Sequence, residues 1–227
     1  MATLEQFRRS VGRKTGMGYD SAGTDRDLLD QWLNEGVREV LLRTHCYTTA
    51  STVTTTANEW QYDLSSNIMA IVSIWRDGQD APMVRMQPEE IQNYRSSSGS
   101  GSITRWATSG TNMLLFWPTP TAEYTINLIY VPRPTELSFD THDPSSATYG
   151  GVPVEFHKAI ELWALSNASD HEHEQGTQRG VSYLAQFDEY IKRVVKPALA
   201  RKWGVQPRSR IGRRRYTAWD NDRYPRY

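Results

Sequence analysis

The spacing of apolar residues changes twice along this chain, and that change constrains the fold more than any single motif does. Apolar residues recur at helical spacing near the N-terminus and again after residue 150. The stretch between is rich in Thr, Val, Ile and aromatic residues, which favour strands. We therefore predict an α+β fold, a helical bundle with a β-rich insertion and an extended C-terminal arm. The predicted parts are N-terminal helices (1–49), the β-rich insertion (50–137), C-terminal helices of the same bundle (138–203) and the extended basic C-terminal arm (204–227).

Two helices are predicted before residue 50. Leu4, Phe7 and Val11 have the spacing of a short helix that ends at the glycines of 16–18. In the second helix, Thr24 and Asp27 have the spacing of a capping box at its start. Gly36 lies in its interior, but the apolar pattern around it is the most regular of the chain. The predicted buried stripe is Leu29, Leu33, Val37, Val40 and Leu41, widened by Leu28 and Trp32.

Helical spacing returns in the last third of the chain, after a polar loop at 138–153. One predicted face consists of Phe156, Ile160, Trp163 and Ala164. A second consists of Leu184, Phe187, Ile191, Val194 and Val195. Pro197 is expected to kink or end this second helix, because proline has no backbone N–H to donate.

The middle of the chain predicts short strands separated by turns. IMAIVSIWRDGQDAPMVRM reads as two strands around an Asp-Gly turn, and PEEIQNYR as a short helix with Pro88 near its start. The serines and glycines of 96–102 predict a flexible loop. MLLFWPTP and YTINLIYVPRP predict two further strands with a turn between them at 118–123.

The formal net charge of zero hides a strong separation of charge. Residues 192–227 contain 12 lysines and arginines against two aspartates, a net charge of +10. Residues 1–191 contain 14 basic against 24 acidic residues, a net charge of −10. The chain is thus an acidic body with a basic tail, and such a tail is attracted to polyanions or to acidic protein surfaces.

The basic tail interleaves arginine with aromatic residues, and three interpretations compete for it. A solvated, disordered terminus would explain its few aliphatic residues. Nucleic-acid binding would explain arginine beside aromatic rings. Docking on a protein would explain the same residues, because Tyr, Trp and Arg are enriched in interface hot spots. The candidate contact residues are Trp203, Arg208, Arg210, Arg213, Arg214, Arg215, Tyr216, Trp219, Arg223, Tyr224 and Tyr227.

Eight tryptophans are many for 227 residues. Trp32 and Trp163 lie on the predicted helical stripes and are expected in the core. Trp203 and Trp219 lie in or beside the basic tail, where there is little core to fill, so they suggest a partner. The four in the predicted β-rich insertion are expected either in the core or at an interface, and they are Trp60, Trp75, Trp106 and Trp117.

The sequence offers no constellation that would support catalysis or a cofactor. His171 and His173 are two apart, so on a helix they point about 200° away from each other and do not share a metal-binding face. Cys46 follows a histidine but has no base placed by sequence alone, and a single cysteine excludes an internal disulfide. No G-x-S-x-G motif occurs, and no apolar run approaches the roughly 18 residues of a membrane span. We predict a protein that is not an enzyme, holds no metal or cofactor and contacts no membrane.

A series of short motifs runs through about residues 60–165. Its members are WQYDLSSNIMAIVSIWRDG, PEEIQNY, GTNMLLFWPTPTAEYTINLIYVPRPTELS and VPVEFHKAIELWAL. The series resembles the head-to-tail connector (adaptor, or head-completion) proteins of tailed bacteriophages. In that family a YDLP-like strand start, a W-P-x-P hairpin, an IYVPRP-like strand and a proline-led helix occur in this order. Ser65 departs from the family pattern, because a proline is often found at this position.

The resemblance implies a virion protein of the neck region that is assembled in the host cytoplasm. Its copies would form a ring, typically of about twelve subunits, beneath the capsid portal. The implied partners are the portal protein, neighbouring copies, a downstream tail or neck protein, and DNA that passes through the channel without specific binding. Several members are similar in using a C-terminal arm to grip the portal, and here the arm could dock on the portal, on adjacent subunits or on both. The alternative is a nucleic-acid-binding protein that uses the same tail.

Overall fold

A computed structural model describes residues 2–19, 23–95, 99–110, 112–172 and 176–202, and it contains both helices and sheets, as an α+β fold requires. The C-terminal arm therefore lies outside the described residues. None of the described helices is both long and apolar enough to cross a lipid bilayer. The helices are α1 (Leu4–Thr15), α2 (Thr24–Thr44), α3 (Pro88–Arg95), α4 (His157–Glu172), α5 (Gly176–Tyr190) and α6 (Lys196–Lys202).

The described strands form three sheets. Sheet 1 has the order β1-β9-β3, sheet 2 the order β2-β7-β6-β4, and sheet 3 the order β5-β8. The strands are β1 (Thr49–Thr54), β2 (Gln61–Asp63), β3 (Ile68–Arg76), β4 (Val84–Arg85), β5 (Ser100–Gly101), β6 (Arg105–Ser109), β7 (Met113–Trp117), β8 (Thr119–Pro120) and β9 (Thr125–Pro132).

The helices α1, α2, α4 and α5 pack around one cluster of buried side chains. The predicted stripe of α2 is buried, as are Leu4, Phe7 and Val11 of α1. On α4 the predicted face is also buried, although Trp163 is only half-buried. Gly36 explains how α2 and α4 approach so closely, since a Cβ there would lie 3.1 Å from the carbonyl oxygen of Ile160. A glycine inside this helix therefore allows close packing at some cost in helix propensity.

The predicted capping box of α2 is wrong. The helix begins at Thr24 itself, with Gly23 at the N-cap and no side-chain cap. Thr24 is thus already helical, and its hydroxyl does not occupy the capping position. A contact typical of a capping box is found instead at the start of α1. There the backbone N–H of Thr3, the N-cap residue, donates to the side chain of Gln6 at 3.2 Å.

The face predicted for the last helical region is partly wrong. Phe187, Ile191 and Val195 are buried, but Leu184 is 39% exposed and Val194 is 41% exposed. The buried residues are four apart, a spacing that drifts around a regular α-helix. A π-helical turn at Ile191–Val195 compensates, because a wider turn returns residues four apart to the same side.

The helix does not end at Pro197, since α6 continues through this residue to Lys202. The π turn ends at Val195, two residues before the proline. A proline ring clashes with the carbonyl four residues earlier in a regular α-helix, here that of Arg193. The wide turn contains Arg193, so the distortion that proline requires falls within the π-helical turn.

The strands predicted on either side of two turns exist, but each turn joins strands of different sheets. The Asp-Gly turn after β3 does not return the chain alongside it, because β4 pairs with β6 in sheet 2 whereas β3 pairs with β9 in sheet 1. Likewise β7 and β9 lie in different sheets, so the segment 118–123 crosses between sheets and contributes β8 on the way. The predicted loop at 96–102 contains strand β5, and residues 96–98 lie outside the described part.

A second cluster of buried residues lies between sheets 1 and 2. Ile74, Ile126 and Leu128 contribute from sheet 1, and Trp106 and Phe116 from sheet 2. The opposite face of sheet 2 is covered by α3, whose Ile91 packs against two further strand residues in a third cluster. Sheet 2 is therefore covered on both sides, which explains why Leu114, Leu115 and Phe116 are all buried on β7.

The polar loop 138–153 holds α1 in place through a buried arginine. Arg8 is 2% exposed, and its guanidinium donates to the carboxylates of Asp30 on α2 and Asp140 in the loop. Burial alone would lower the pKa of Arg8, but these hydrogen bonds outweigh it and raise the pKa. The loop also accepts a hydrogen bond from the backbone N–H of Leu4 at 2.9 Å, through the carbonyl oxygen of His142. The start of α1 is thus satisfied by the loop.

Candidate interaction surface

The contact residues predicted from the basic tail all lie outside the described residues. This applies to Trp203 and to the whole of the C-terminal arm, so these residues remain a prediction. The same holds for His173 and for the side chain of His171. Within the part of the chain that is described, no three histidine, cysteine or carboxylate side chains group together as a metal site would need.

Sheet 2 and α3 place an arginine against two aromatic rings. The guanidinium carbon of Arg105 lies 4.9 Å from the ring centre of Trp117 and 5.3 Å from that of Tyr94. The two ring centres are 5.1 Å apart. These distances are those of cation–π contacts, which are stronger when the ring is shielded from water. We call Tyr94, Arg105 and Trp117 the arginine–aromatic cluster.

Three separate elements bring the arginine–aromatic cluster together. Arg105 and Trp117 are directly opposite each other on the antiparallel strands β6 and β7, so the strand register makes this pair. Tyr94 comes from α3, which is fixed on sheet 2 by the fully buried Ile91. Gly99 passes against the Trp117 ring, where a Cβ would lie 3.1 Å from a ring carbon. Glycine at this position therefore lets the chain run across the ring.

A second arginine lies over an aromatic ring on the same sheet. The guanidinium carbon of Arg85 is 5.3 Å from the ring centre of Trp106. These two residues are partners in the parallel pairing of β4 with β6. Trp106 is buried and donates its indole N–H to the carbonyl oxygen of Met83 at 3.2 Å, whereas Arg85 is exposed. The ring is therefore part of the core, and the cation faces solvent.

The arginines of sheet 2 differ from those of the helices in their partners. On the helices, guanidiniums pair with carboxylates, as Arg43 does with Glu39 and Asp188. Neither Arg85 nor Arg105 has a carboxylate within ion-pair distance among the described residues. Their N–H groups remain able to donate to an incoming carboxylate. Arg, Trp and Tyr are also the residue types that dominate interface hot spots, so this surface has the chemistry of a protein-docking site.

The sequence did not single out Arg85, Arg105 or Tyr94. The available signal was weak, an Arg-Trp dipeptide at 105–106 and a tyrosine at the end of a short helix. Four tryptophans were predicted either in the core or at an interface, and Trp75 is half-buried and belongs to none of the three clusters. Trp106 is buried in the core between the sheets, whereas Trp60 and Trp117 are half-buried against the smaller cluster under α3.

Cys46 has no features of a reactive thiol. It is half-buried against the helical core, and burial raises the pKa of its thiol. A raised pKa keeps the sulfur protonated and weakly nucleophilic at neutral pH. The neighbouring His45 has its pKa lowered by burial and by Lys196, so its imidazole is largely neutral. The pair therefore has the properties of a packed structural site.

A comparison with protein families agrees with the motif series. The family model described as SU10 adaptor protein matches residues 2–215, which is nearly the whole chain. None of the curated proteins matches this sequence. The matched family is one of structural adaptors of bacteriophage particles, which typically have no enzymatic activity. The chain therefore belongs to the SU10 adaptor protein family, and its place is in the virion.

Proposed function

We propose that this protein is a subunit of a connector ring that joins the capsid portal to the tail and extends the DNA channel. The observation that carries the proposal is the family match, which spans both the described fold and the first half of the C-terminal arm, to residue 215. Its copies would assemble in the host cytoplasm, form a ring of about twelve and become part of the virion neck.

The separation of charge supports two features of this ring. The acidic body, with its net charge of −10, would line the channel without binding DNA, because phosphates are repelled by carboxylates. The basic arm would dock on the portal, on adjacent subunits or on both. Its arginines would pair with carboxylates, and Tyr216, Trp219 and Tyr224 would fill apolar pockets.

The finer organisation of the fold is part of the proposal. The N-terminal helices (1–49) and the C-terminal helices (138–203) would form one bundle, with the β-rich insertion (50–137) projecting from it. This is supported by the single cluster of buried residues that α1, α2, α4 and α5 share. The arginine–aromatic cluster, which lies away from that bundle on sheet 2, would contact the downstream tail or neck protein.

The experiment that tests the connector is deletion of residues 204–227. We expect the truncated protein to keep its folded body, because the described core ends at Leu199. We also expect it to be lost from particles that carry the portal, since its anchor is gone. Binding to portal-bearing particles would be measured by sedimentation, with circular dichroism as the control for folding. Normal incorporation of the truncated protein would contradict the proposed arm.

The alternative is that the tail grips nucleic acid. It would be favoured if the purified full-length protein bound DNA with an affinity that falls steeply with salt, and if the truncation abolished this binding. The connector proposal expects weak binding to DNA, because the −10 body opposes the +10 tail.

A further inference from the structure

Strand β1 has a free edge. It pairs only with β9 among the described strands. The backbone N–H of Thr55 donates to the carbonyl oxygen of Tyr124, at 2.9 Å, so this residue faces β9. Because backbone groups alternate in direction along a strand, the N–H and C=O groups of Ala50, Thr52 and Thr54 point away from β9. Three residues of β1 therefore present backbone donors and acceptors that have no partner strand among the described residues.

This free edge lacks the features that usually prevent strands from pairing with another chain. Residues 47–57 read YTTASTVTTTA and contain no charged residue, no proline and no glycine. Edge strands are usually interrupted by lysine, proline or a bulge. The other outer strand of sheet 1, β3, has such a bulge between Ile71 and Ser73, and the carbonyl of its Ile74 accepts a hydrogen bond from Met83. Of the two outer strands of sheet 1, only β1 has, among the described residues, a long edge without a feature that would prevent pairing with another chain.

The outer face of sheet 1 lies next to the free edge of β1. The strand register places Thr52 of β1, Asn127 of β9 and Trp75 of β3 in one row across the sheet. The adjacent residues Ile74 and Leu128 are fully buried, and neighbours along a strand point to opposite faces. Trp75 therefore lies on the outer face, away from the core between the sheets.

The next row on this face is also uncharged. It consists of Ala50, Ile129 and Ser73. Trp75 and Ile129 are half-buried, and neither packs against the three clusters of buried residues in the described part of the chain. α3 covers sheet 2 but not this face. A tryptophan and an isoleucine beside an open strand edge form a surface suited to a partner.

We propose that the β1 edge and the outer face of sheet 1 bind a second copy of this chain, with an extended segment of that copy adding a strand next to Ala50–Thr54. Backbone hydrogen bonds to β1 would supply the pairing, and Trp75 would be the side-chain anchor. This inference rests on the proposed ring and identifies one of the two different surfaces that each ring subunit needs.

Charge favours a second copy over the other partners. The two rows described above have no arginine or lysine for DNA phosphates and no carboxylate for the basic tail, and Asp77, which directly follows β3 and lies near Thr125, is the acidic residue nearest to this strand in the chain. Copies of a body with a net charge of −10 repel one another, so they make contact most easily through an uncharged surface. Pairing through the backbone needs no charge on either side.

The decisive variant is Thr52→Pro. The N–H of Thr52 points away from β9, so proline removes a donor from the free edge without removing a bond of the β1–β9 ladder. We expect circular dichroism and the melting temperature to stay close to those of the wild type, and the concentration needed for half-assembly to rise by about tenfold or more. Assembly would be measured by light scattering and native mass spectrometry, with and without portal-bearing particles.

A second variant decides the question if the proline disturbs folding. Thr52→Lys keeps the ladder and adds the charge that typically protects an edge strand, and it should weaken assembly in the same way. Gln186→Lys is its matched control, since it adds the same charge to an exposed position of α5 and should assemble normally. A photo-crosslinking residue at Thr54 should join two copies in the purified ring.

The outcomes separate this inference from the proposed function. If the wild type forms rings and Thr52→Lys forms them equally well, the β1 contact is wrong while the connector stands. A crosslink from Thr54 to the portal in place of a second copy would have the same meaning. If the wild type forms no rings even on portal-bearing particles, the ring itself is wrong, and the contact fails with it.

Discussion

The carboxylate of Glu161 on α4 links this helix to α1 through hydrogen bonds. It accepts hydrogen bonds from Ser10 and Lys14 of α1 and from Lys158 of its own helix, while its side chain is only 12% exposed. Burial would raise the pKa of Glu161, but these three donors outweigh it and lower the pKa to about 2. Its charged form is therefore favoured in the folded state, and the contact stabilises the protein while Glu161 is ionised.

We expect the stabilisation from Glu161 to be lost in acid. Its pKa is lower in the folded than in the unfolded chain, so the contribution is complete above about pH 4.5 and disappears as the pH falls toward 2. Glu161→Gln should lower the free energy of unfolding by about 1–3 kcal/mol at pH 7, a range reduced because both lysines are partly exposed. Urea denaturation of wild type and variant across pH 2–7 would measure this difference.

Glu189→Gln is the matched control, because Glu189 pairs with Arg193 on an exposed helix surface. An exposed pair contributes about 0–1 kcal/mol, so its removal should have little effect at any pH. A difference between wild type and Glu161→Gln that stayed constant down to pH 2 would contradict the depressed pKa.

At the scale of the element, the last helical region shows how local geometry selects the buried face. In a regular α-helix, Phe187, Ile191, Val195 and Leu199 would spread over about 120° of the surface, and the π turn brings them closer to one line. Leu184 and Val194 lie off this line and are exposed. The apolar pattern predicts a helix here, but it does not reveal that one turn is wide.

This difference predicts unequal effects for two similar truncations on α5. Phe187→Ala removes a fully buried ring and should lower the free energy of unfolding by about 3–5 kcal/mol. Leu184→Ala removes a side chain that is 39% exposed and should cost less than about 1 kcal/mol. Chemical denaturation followed by tryptophan fluorescence would compare the two. Equal losses would mean that the two side chains are equally buried.

At the scale of the whole molecule, the helices and sheet 2 differ in how their arginines are paired. In the helical part, arginines form ion pairs within the chain. Arg8, for example, pairs with Asp30 of α2 and with Asp140 of the polar loop. Sheet 2 leaves Arg85 and Arg105 over aromatic rings without carboxylate partners in the described structure. In the proposed ring, the arm reaches the portal, sheet 1 meets a neighbouring copy, and the arginine–aromatic cluster is available to the next protein of the neck.

Arg105→Ala should therefore reduce recruitment of the downstream tail or neck protein while leaving the ring intact. A buried interface arginine of this kind contributes about 2 kcal/mol or more, which corresponds to at least a tenfold weaker complex. Arg105→Lys should rescue little, because an ammonium group lacks the planar surface that stacks on Trp117. Co-sedimentation of assembled connectors with the downstream protein would measure the effect.

Arg193→Ala is the control for Arg105→Ala, since it removes the same charge from an exposed position on the helical side. It should recruit the downstream protein normally. Normal recruitment by Arg105→Ala as well would exclude the arginine–aromatic cluster as the contact.

The sequence by itself determined the α+β class, the helical stripes and the membership of a phage adaptor family. These depend on local periodicity and on short motifs such as IYVPRP, which lie within a few residues of one another. It did not determine strand partners. Asp77-Gly78 is a turn, as predicted, whereas 118–123 includes strand β8. Both segments lead the chain from one sheet to another, which only the tertiary structure shows.

The tertiary structure alone decided where the candidate contacts lie. Arg105 meets Trp117 because β6 and β7 pair in one register, and it meets Tyr94 because α3 packs on that sheet. Trp75 faces outward because its neighbour Ile74 faces the core between two sheets. These positions depend on contacts between residues far apart in the chain. Strand partners and register are chosen by the burial of whole strands and helices, and the local spacing of apolar residues carries no information about them.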